Sequence, residues 1–305
     1  MDMYQKREMR KNKKMDENAK SLPSTSINWY PGHMAKTKRE IGEKLNLIDI
    51  VFEVIDARIP YTSKNKEIEN MTKNKPRILV MTKKDLCDME ITNKWVKYYE
   101  NLKYKVVLTD LIHDKNINNI LNITNTLASE INEKRKQKGL KPRRVRIIIL
   151  GIPNVGKSTL INKLVGKKAT NVGNRPGVTK SLEWIRINSE LELLDTPGIL
   201  WPKLTGEYTG LNLASMTAIK EEILNKEEVA IYIINKLKTN YKEKFYDRYK
   251  IEETNDIVET LDQIGKQIGA IRNGETDYEK VYTTILKDLR EGAFKGVTFD
   301  DYEDK

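Results

Sequence analysis

Cysteine is nearly absent: Cys87 stands alone in 305 residues. A single thiol excludes an intramolecular disulfide, and no Cys/His cluster has zinc-binding spacing. A reducing cytoplasm is the predicted compartment. Long apolar runs are missing too. The most apolar stretches, such as "VRIIIL" and "VAIYII", fall far short of the roughly 20 residues that a membrane span needs, and no hydrophobic leader core follows the basic N-terminus. The chain is therefore expected to be neither secreted nor membrane-spanning. Acidic residues are missing from one stretch: every charge from Lys134 to Arg146 is basic, in a chain of net charge +11. Such a balance suits a phosphate-bearing partner, because Lys and Arg that neutralise phosphates release counterions. It suits a solubilising Lys-rich surface equally well.

What is present is ordinary in amount and specific in arrangement. With 38% hydrophobic and 7% aromatic residues the chain can bury a nucleotide-sized core and a smaller one. Residues 1–26 are basic, polar and poor in large apolar side chains, which predicts a flexible basic tail or one ordered by a partner. Asp2, Glu8, Asp16 and Glu17 argue against an organelle transit peptide. Within 27–208, the runs "DIVFEVIDAR", "RILVMTKKD", "YKVVLTD" and "VRIIILG" read as buried strands alternating with helical stretches, and "LEWIRI" with "LELLDTPG" as a hairpin. The fold class so implied is α/β, a doubly wound, mainly parallel sheet. From Thr209 onward only helical patterns occur, so 209–305 is predicted to be a small all-helical domain.

"GIPNVGKST", Gly151 to Thr159, has the spacing G-x-x-x-x-G-K-[ST] between a predicted strand and a predicted helix, the context a phosphate-binding loop demands. Glycines let backbone N–H groups curl around phosphate oxygens at a helix N-terminus whose dipole also favours anions. Asn154, Val155, Gly156, Lys157, Ser158 and Thr159 are the expected nucleotide-binding run, with Lys157 on the β- and γ-phosphates and Ser158 on Mg²⁺. "LLDTPG" adds Asp195, placed for Mg²⁺, and Gly198, whose N–H can sense the γ-phosphate. Between them, Thr179 of "RPGVTK" is the candidate switch threonine that completes the Mg²⁺ shell.

"TKKD", Thr82, Lys83, Lys84 and Asp85, follows a buried strand as a base-reading loop should. Asp85 can accept from the guanine N1–H and exocyclic amine, donors that adenine does not offer in that pairing. Thr109, Asp110 and Leu111 of "VLTDL" form the candidate second base loop, near the guanine O6. The order is then base, base, phosphate loop, switch threonine, D-x-x-G. It is a circular permutation, with the basic stretch from Lys134 to Arg146 as the link between the old ends.

Through "NWYPGHMAK", "IDARIPYTSKN", "GIPNVGKSTLIN", "RPGVTK" and "LLDTPGILWPK", the chain resembles the circularly permuted GTPases of the YlqF/YawG type from Ile27 to its end. That resemblance implies a GTPase that assists late assembly of the large ribosomal subunit and holds rRNA through a helical C-terminal domain. GTP or GDP, that subunit and its rRNA are the expected partners, with neither membrane nor DNA. This sequence departs from the pattern at Thr82, where asparagine is usual, in the "LTDL" loop, and by its N-terminal extension. Ile199 stands where Ras-like enzymes carry a water-orienting glutamine. The resemblance instead suggests His33, on a glycine-flanked loop, as the water-positioning group, although a turn role is the better reading of that residue taken alone. It also associates Asn154 with a bound K⁺, and a turn-favouring asparagine fits the residue equally well. Rival readings are a non-hydrolysing RNA-binding module, a permuted GTPase of the small subunit, and an ATPase. Against the second, no zinc set or early barrel-like strand series occurs. Against the third stands Asp85.

Overall fold

The computed structural model describes residues 32–113, 117–166, 182–199, 208–216, 218–219 and 224–304. The predicted tail, 1–26, lies outside them, as does Thr179. The described residues fall into two compact units, one built mainly from 32–199 and the other mainly from 208–294.

The first unit is organised by long β-branched runs. β1 (Ile50–Asp56), β2 (Arg77–Thr82) and β4 (Val145–Leu150) are almost wholly buried, as strands covered on both faces must be, and this explains why their sequences are continuous rather than alternating. β3 (Lys105–Leu108), β5 (Glu183–Arg186) and β6 (Leu191–Asp195) complete a sheet of order β3-β2-β1-β4-β6-β5. All pairings are parallel except β5 with β6, the predicted hairpin. β1 and β4 lie side by side at the centre although three helices and two strands separate them in sequence. The doubly wound reading therefore holds.

Helices α1 (Gly32–Lys44), α2 (Lys66–Thr72), α3 (Met89–Asn101), α4 (Asn118–Gln137) and α5 (Lys157–Val165) connect the strands. Ile41 and Ile48, at helical spacing in the sequence, meet Val51, Ile68, Ile148, Leu150, Leu194 and Ile199 in one cluster. Trp95 and Tyr99 of α3 anchor a second cluster with Ile55, Leu79 and Met81. Start signals are local: Asn65 caps α2 and Asp88 caps α3, each worth about 1 kcal/mol.

The second unit holds α6 (Thr209–Ser215), α7 (Lys226–Asn240), α8 (Lys242–Tyr249), α9 (Ile257–Gln267) and α10 (Tyr278–Glu291) around Leu213, Ile233, Leu237, Phe245, Leu261, Val281, Ile285 and Leu289. Two findings differ from the all-helical expectation for 209–305. A short hairpin, β7 (Ile271–Arg272) with β8 (Glu275–Thr276), turns through Asn273 and Gly274 at φ 51° and 79°. An Asn-Gly pair is the standard signal for a turn that needs two left-handed residues. In addition, residues 295–304 pack with the first unit. There Gly296 and Val297 donate backbone N–H groups to the Leu86 carbonyl at 2.9 and 3.0 Å, and Phe299 donates to that of Arg58 at 2.7 Å. The Asp300 carboxylate accepts from the N–H groups of Tyr61 and Thr62, both at 2.7 Å, and from the Thr62 hydroxyl. No helix among the described residues is long and apolar enough to cross a membrane.

Candidate nucleotide site

Parallel strands present their carboxyl ends at one edge of a sheet, and a crevice opens where neighbouring strands send their connections to opposite faces. Here that edge carries the phosphate loop after β4, D-x-x-G after β6, "DAR" after β1, "TKKD" after β2 and "TDL" after β3. Motifs scattered from residue 56 to residue 198 are thereby brought together.

At the phosphate end, Gly156 precedes α5 at φ 95°, a left-handed conformation that a side chain disfavours. Asn154 is also left-handed, at φ 61°. Asparagine tolerates this region better than most residues, so the backbone alone gives it a reason to be there. Lys157 is buried, and its ammonium donates to the Ile152 carbonyl at 2.8 Å. Burial pushes its pKa down to about 8 against the pull of Asp195. Burial likewise pushes Asp195 up to about 6 against the pull of Lys157. Asp195 Oδ1 is buried without a hydrogen-bond partner. An orphaned acceptor beside a desolvated lysine, with Ser158 opening the adjacent helix, fits a bound Mg²⁺ and phosphate: the cation would satisfy the carboxylate and the phosphate the ammonium.

D-x-x-G is fastened to the phosphate loop. A Cβ on Gly198 would lie 2.6 Å from both Cα and N of Pro153, so only glycine permits this approach. The Ile199 N–H donates to the Gly151 carbonyl at 3.1 Å. The Ile199 side chain points into the core cluster with Ile41 and Val51. Besides being aliphatic, it is turned away from any attacking water.

The base end is tied together differently. Thr82 Oγ1 lies 2.6 Å from the Val155 carbonyl and 3.1 Å from that of Ile55. Its single proton serves one of them at a time. Thr82, where asparagine is usual in the family it resembles, thus joins the base loop to the phosphate loop. Lys83, at φ 61°, sends its ammonium to Asp56 Oδ2 at 2.7 Å. Arg58 grips the same carboxylate with Nε at 3.0 Å and Nη2 at 2.9 Å. Burial would raise the Asp56 pKa, but the two cations hold it well below the carboxylate range. This clamp, in the quoted string "IDAR", was not read from the sequence as part of the site.

Leu111 packs against the phosphate loop, its Cδ1 being 3.3 Å from where a Cβ on Gly156 would stand. Asp110 is spent on its own turn. Its Oδ1 accepts from the N–H groups of Ile112 and His113 at 2.8 and 3.1 Å, and its Oδ2 meets His113 Nδ1 at 2.7 Å. The Thr109 carbonyl accepts from the Lys84 N–H at 3.3 Å, joining the two base loops. The ligand atoms of Asp85, Asp110 and His113 lie within 4.8 Å of one another. His113 was not singled out in the sequence, and its signal is the i to i+3 spacing from Asp110. His33 belongs to the first turn of α1 rather than to a loop.

Comparison with known proteins agrees with this geometry. Residues 146–271 match a family described as 50S ribosome-binding GTPase. Ribosome biogenesis GTPase A of Bacillus licheniformis is 45% identical over 280 residues, which are 91% of this chain and 99% of that protein. The probable ribosome biogenesis GTPase A of Mycoplasma genitalium is 32% identical over 91% of this chain and 97% of its own length. The crystal structure of GNP-bound YlqF from T. maritima shares the fold, with a TM-score of 0.59 at 24% identity over 87% of this chain and 98% of that one.

Proposed function

The chain belongs to the ribosome biogenesis GTPase A family, and on that premise we propose that it binds GTP and hydrolyses it on the precursor of the large ribosomal subunit to promote late assembly. The observation that carries the reading is the pairing, at one sheet edge, of a T-K-x-D loop with a phosphate loop whose Lys157 and Asp195 are buried and, among the described residues, have each other as their opposite charge.

Each residue has a role by its position. Asp85 accepts from the guanine edge, and Leu111 walls the base against Gly156. The Lys157 ammonium exchanges the Ile152 carbonyl for phosphate oxygens. Ser158, Asp195 and Thr179 hold Mg²⁺, which when bound draws charge from the transferred phosphoryl group. The Gly198 N–H registers the γ-phosphate. Because Ile199 is committed to the core, no side chain at that position orients water, and intrinsic hydrolysis is expected to be slow. His33 supplies the water-positioning group once the ribosomal partner engages, and Asn154 holds a K⁺ whose charge offsets that developing between the phosphates. The helical unit, entered soon after the switch, is the candidate rRNA-binding part.

GTP hydrolysis measured in potassium and in sodium buffer, with and without large ribosomal subunits, tests this reading for wild type and His33→Ala. Stimulation by subunits and K⁺ that His33→Ala abolishes is the expected result. No phosphate release under any condition would leave a nucleotide-dependent RNA-binding module. Equal rates in the two salts would remove Asn154 from the cation site.

A further inference from the structure

The connection from β1 to α2, residues 57–65, belongs to neither nucleotide loop, yet it touches the structures behind both. It is held rigid from several sides. Ser63 donates its hydroxyl to the Ile59 carbonyl at 2.6 Å and accepts from the Asp56 N–H at 3.1 Å. Its middle is pinned by the Asp300 carboxylate. At its end sits Asn65, which is 1% exposed.

Asn65 spends both ends of its amide. Oδ1 accepts from the Glu67 N–H at 2.9 Å, capping α2. Nδ2 donates to the Ile199 carbonyl at 3.1 Å. The flipped amide would set oxygen against a carbonyl and NH₂ against an N–H, so the network fixes the orientation. The Ile199 backbone is thereby held at both its polar groups, the N–H by the Gly151 carbonyl and the carbonyl by Asn65. It immediately follows Gly198, which already rests against Pro153. Aspartate would serve as the cap but, ionised, has no proton to donate to Ile199, and serine or threonine, one atom shorter, offers a single hydroxyl for both contacts that the two ends of the amide divide between them.

We propose that Asn65 is a positioning residue for GTP recognition: it anchors the carbonyl of Ile199, the residue after Gly198, so that the Gly198 N–H stays aimed at the γ-phosphate. The proposal rests on the reading of this site as a GTP site. GDP has no γ-phosphate, so the anchor should matter for GTP and not for GDP. Capping alone would make no such distinction.

Asn65→Asp separates the two roles, since an ionised carboxylate preserves the cap and has no proton to donate. Asn65→Ser, which keeps a capping oxygen on a shorter side chain without the amide NH₂, is the second variant should the first fold poorly. Affinities for fluorescent GDP and for a non-hydrolysable GTP analogue are measured on the full chain with Mg²⁺, alongside melting temperature. The expected result is a roughly three- to tenfold loss for the GTP analogue, the range of one hydrogen bond, with GDP affinity held within about twofold. An unchanged ratio of the two affinities, or an equal loss of both, would overturn the proposal. Wild-type protein that binds neither nucleotide would overturn the site itself, and the proposal with it.

Discussion

Two lysines, Lys83 directly after β2 and Lys157 at the start of α5, flank loops that Thr82 joins and have opposite fates. Lys83 gives its ammonium to Asp56, a carboxylate already gripped by Arg58. Lys157 has a neutral carbonyl at 2.8 Å and a carboxylate near enough to perturb it. The first is a finished structural contact. The second is a buried cation still lacking a full counter-charge, which is the electrostatic signature of a group meant for a ligand. The comparison teaches that the ammonium of a lysine in a nucleotide motif need not be spent on phosphate: at the base end it holds Asp56 and so fixes the loop.

The largest effect is expected from making the two lysines alike. Asp56→Ala would strand Lys83 and Arg58 without their common carboxylate, and breaking a buried ion pair from one side costs about 3–5 kcal/mol. Urea unfolding would read the loss, and a change below about 1 kcal/mol would demote the clamp to a surface-type pair. Next comes Lys157→Ala, which should weaken GDP and GTP binding about 10- to 100-fold, the range of a charge-assisted contact. The same change should cost the unliganded fold much less than Asp56→Ala does, because loss of the Ile152 contact and of the pull on Asp195 is offset by removal of a desolvated charge. If stability fell as far as in Asp56→Ala, the contrast between the lysines would fail.

The smallest effect concerns Glu53, on the same strand as Asp56 and equally buried. Its nearest cation is Lys64 at 3.7 Å and neither carboxyl oxygen has a hydrogen bond. Burial pushes its pKa above the ordinary 4.5, with Lys64 and Arg77 opposing. A carboxyl raised in the folded state favours folding below its ordinary pKa and loses that contribution as pH rises through the folded value. Glu53→Gln should therefore stabilise slightly at pH 8, and the gain should vanish near pH 4. Asp56, whose pKa is lowered, has the opposite sign: its contribution is present above about 3.8 and fades on further acidification. Urea midpoints across that range separate the two carboxylates.

Much of this molecule was legible in its residues because the signals are local. Continuous apolar runs marked β1, β2 and β4. The spacing of "GIPNVGKST" marked a phosphate-binding loop leading into a helix, and "LEWIRI" with "LELLDTPG" marked the antiparallel pair. The β7–β8 hairpin carries an equally local signal, the Asn-Gly of "RNGE", which the helical reading of 209–305 passed over. His33 was read as a loop residue from its glycine neighbour, whereas the helix starts at Gly32. The strap of residues 295–304 could not have been found this way. Its meaning lies in pairs such as Asp300 with Thr62 and Gly296 with Leu86, more than two hundred residues apart, and no periodicity encodes a partner at that distance.

The sequence by itself determined the chemical class of the protein: a phosphate-binding loop, D-x-x-G and T-K-x-D in permuted order, the marks of a GTPase. Each depends on a short run whose backbone conformation and functional groups are set by near neighbours. Only the tertiary structure decided which charges are already spent. Whether Lys83 meets Asp56, whether Ile199 turns inward, and whether Asn65 reaches the Ile199 carbonyl depend on the packing of distant segments. Burial and pairing, not residue type, set what a charge or an amide has left to give.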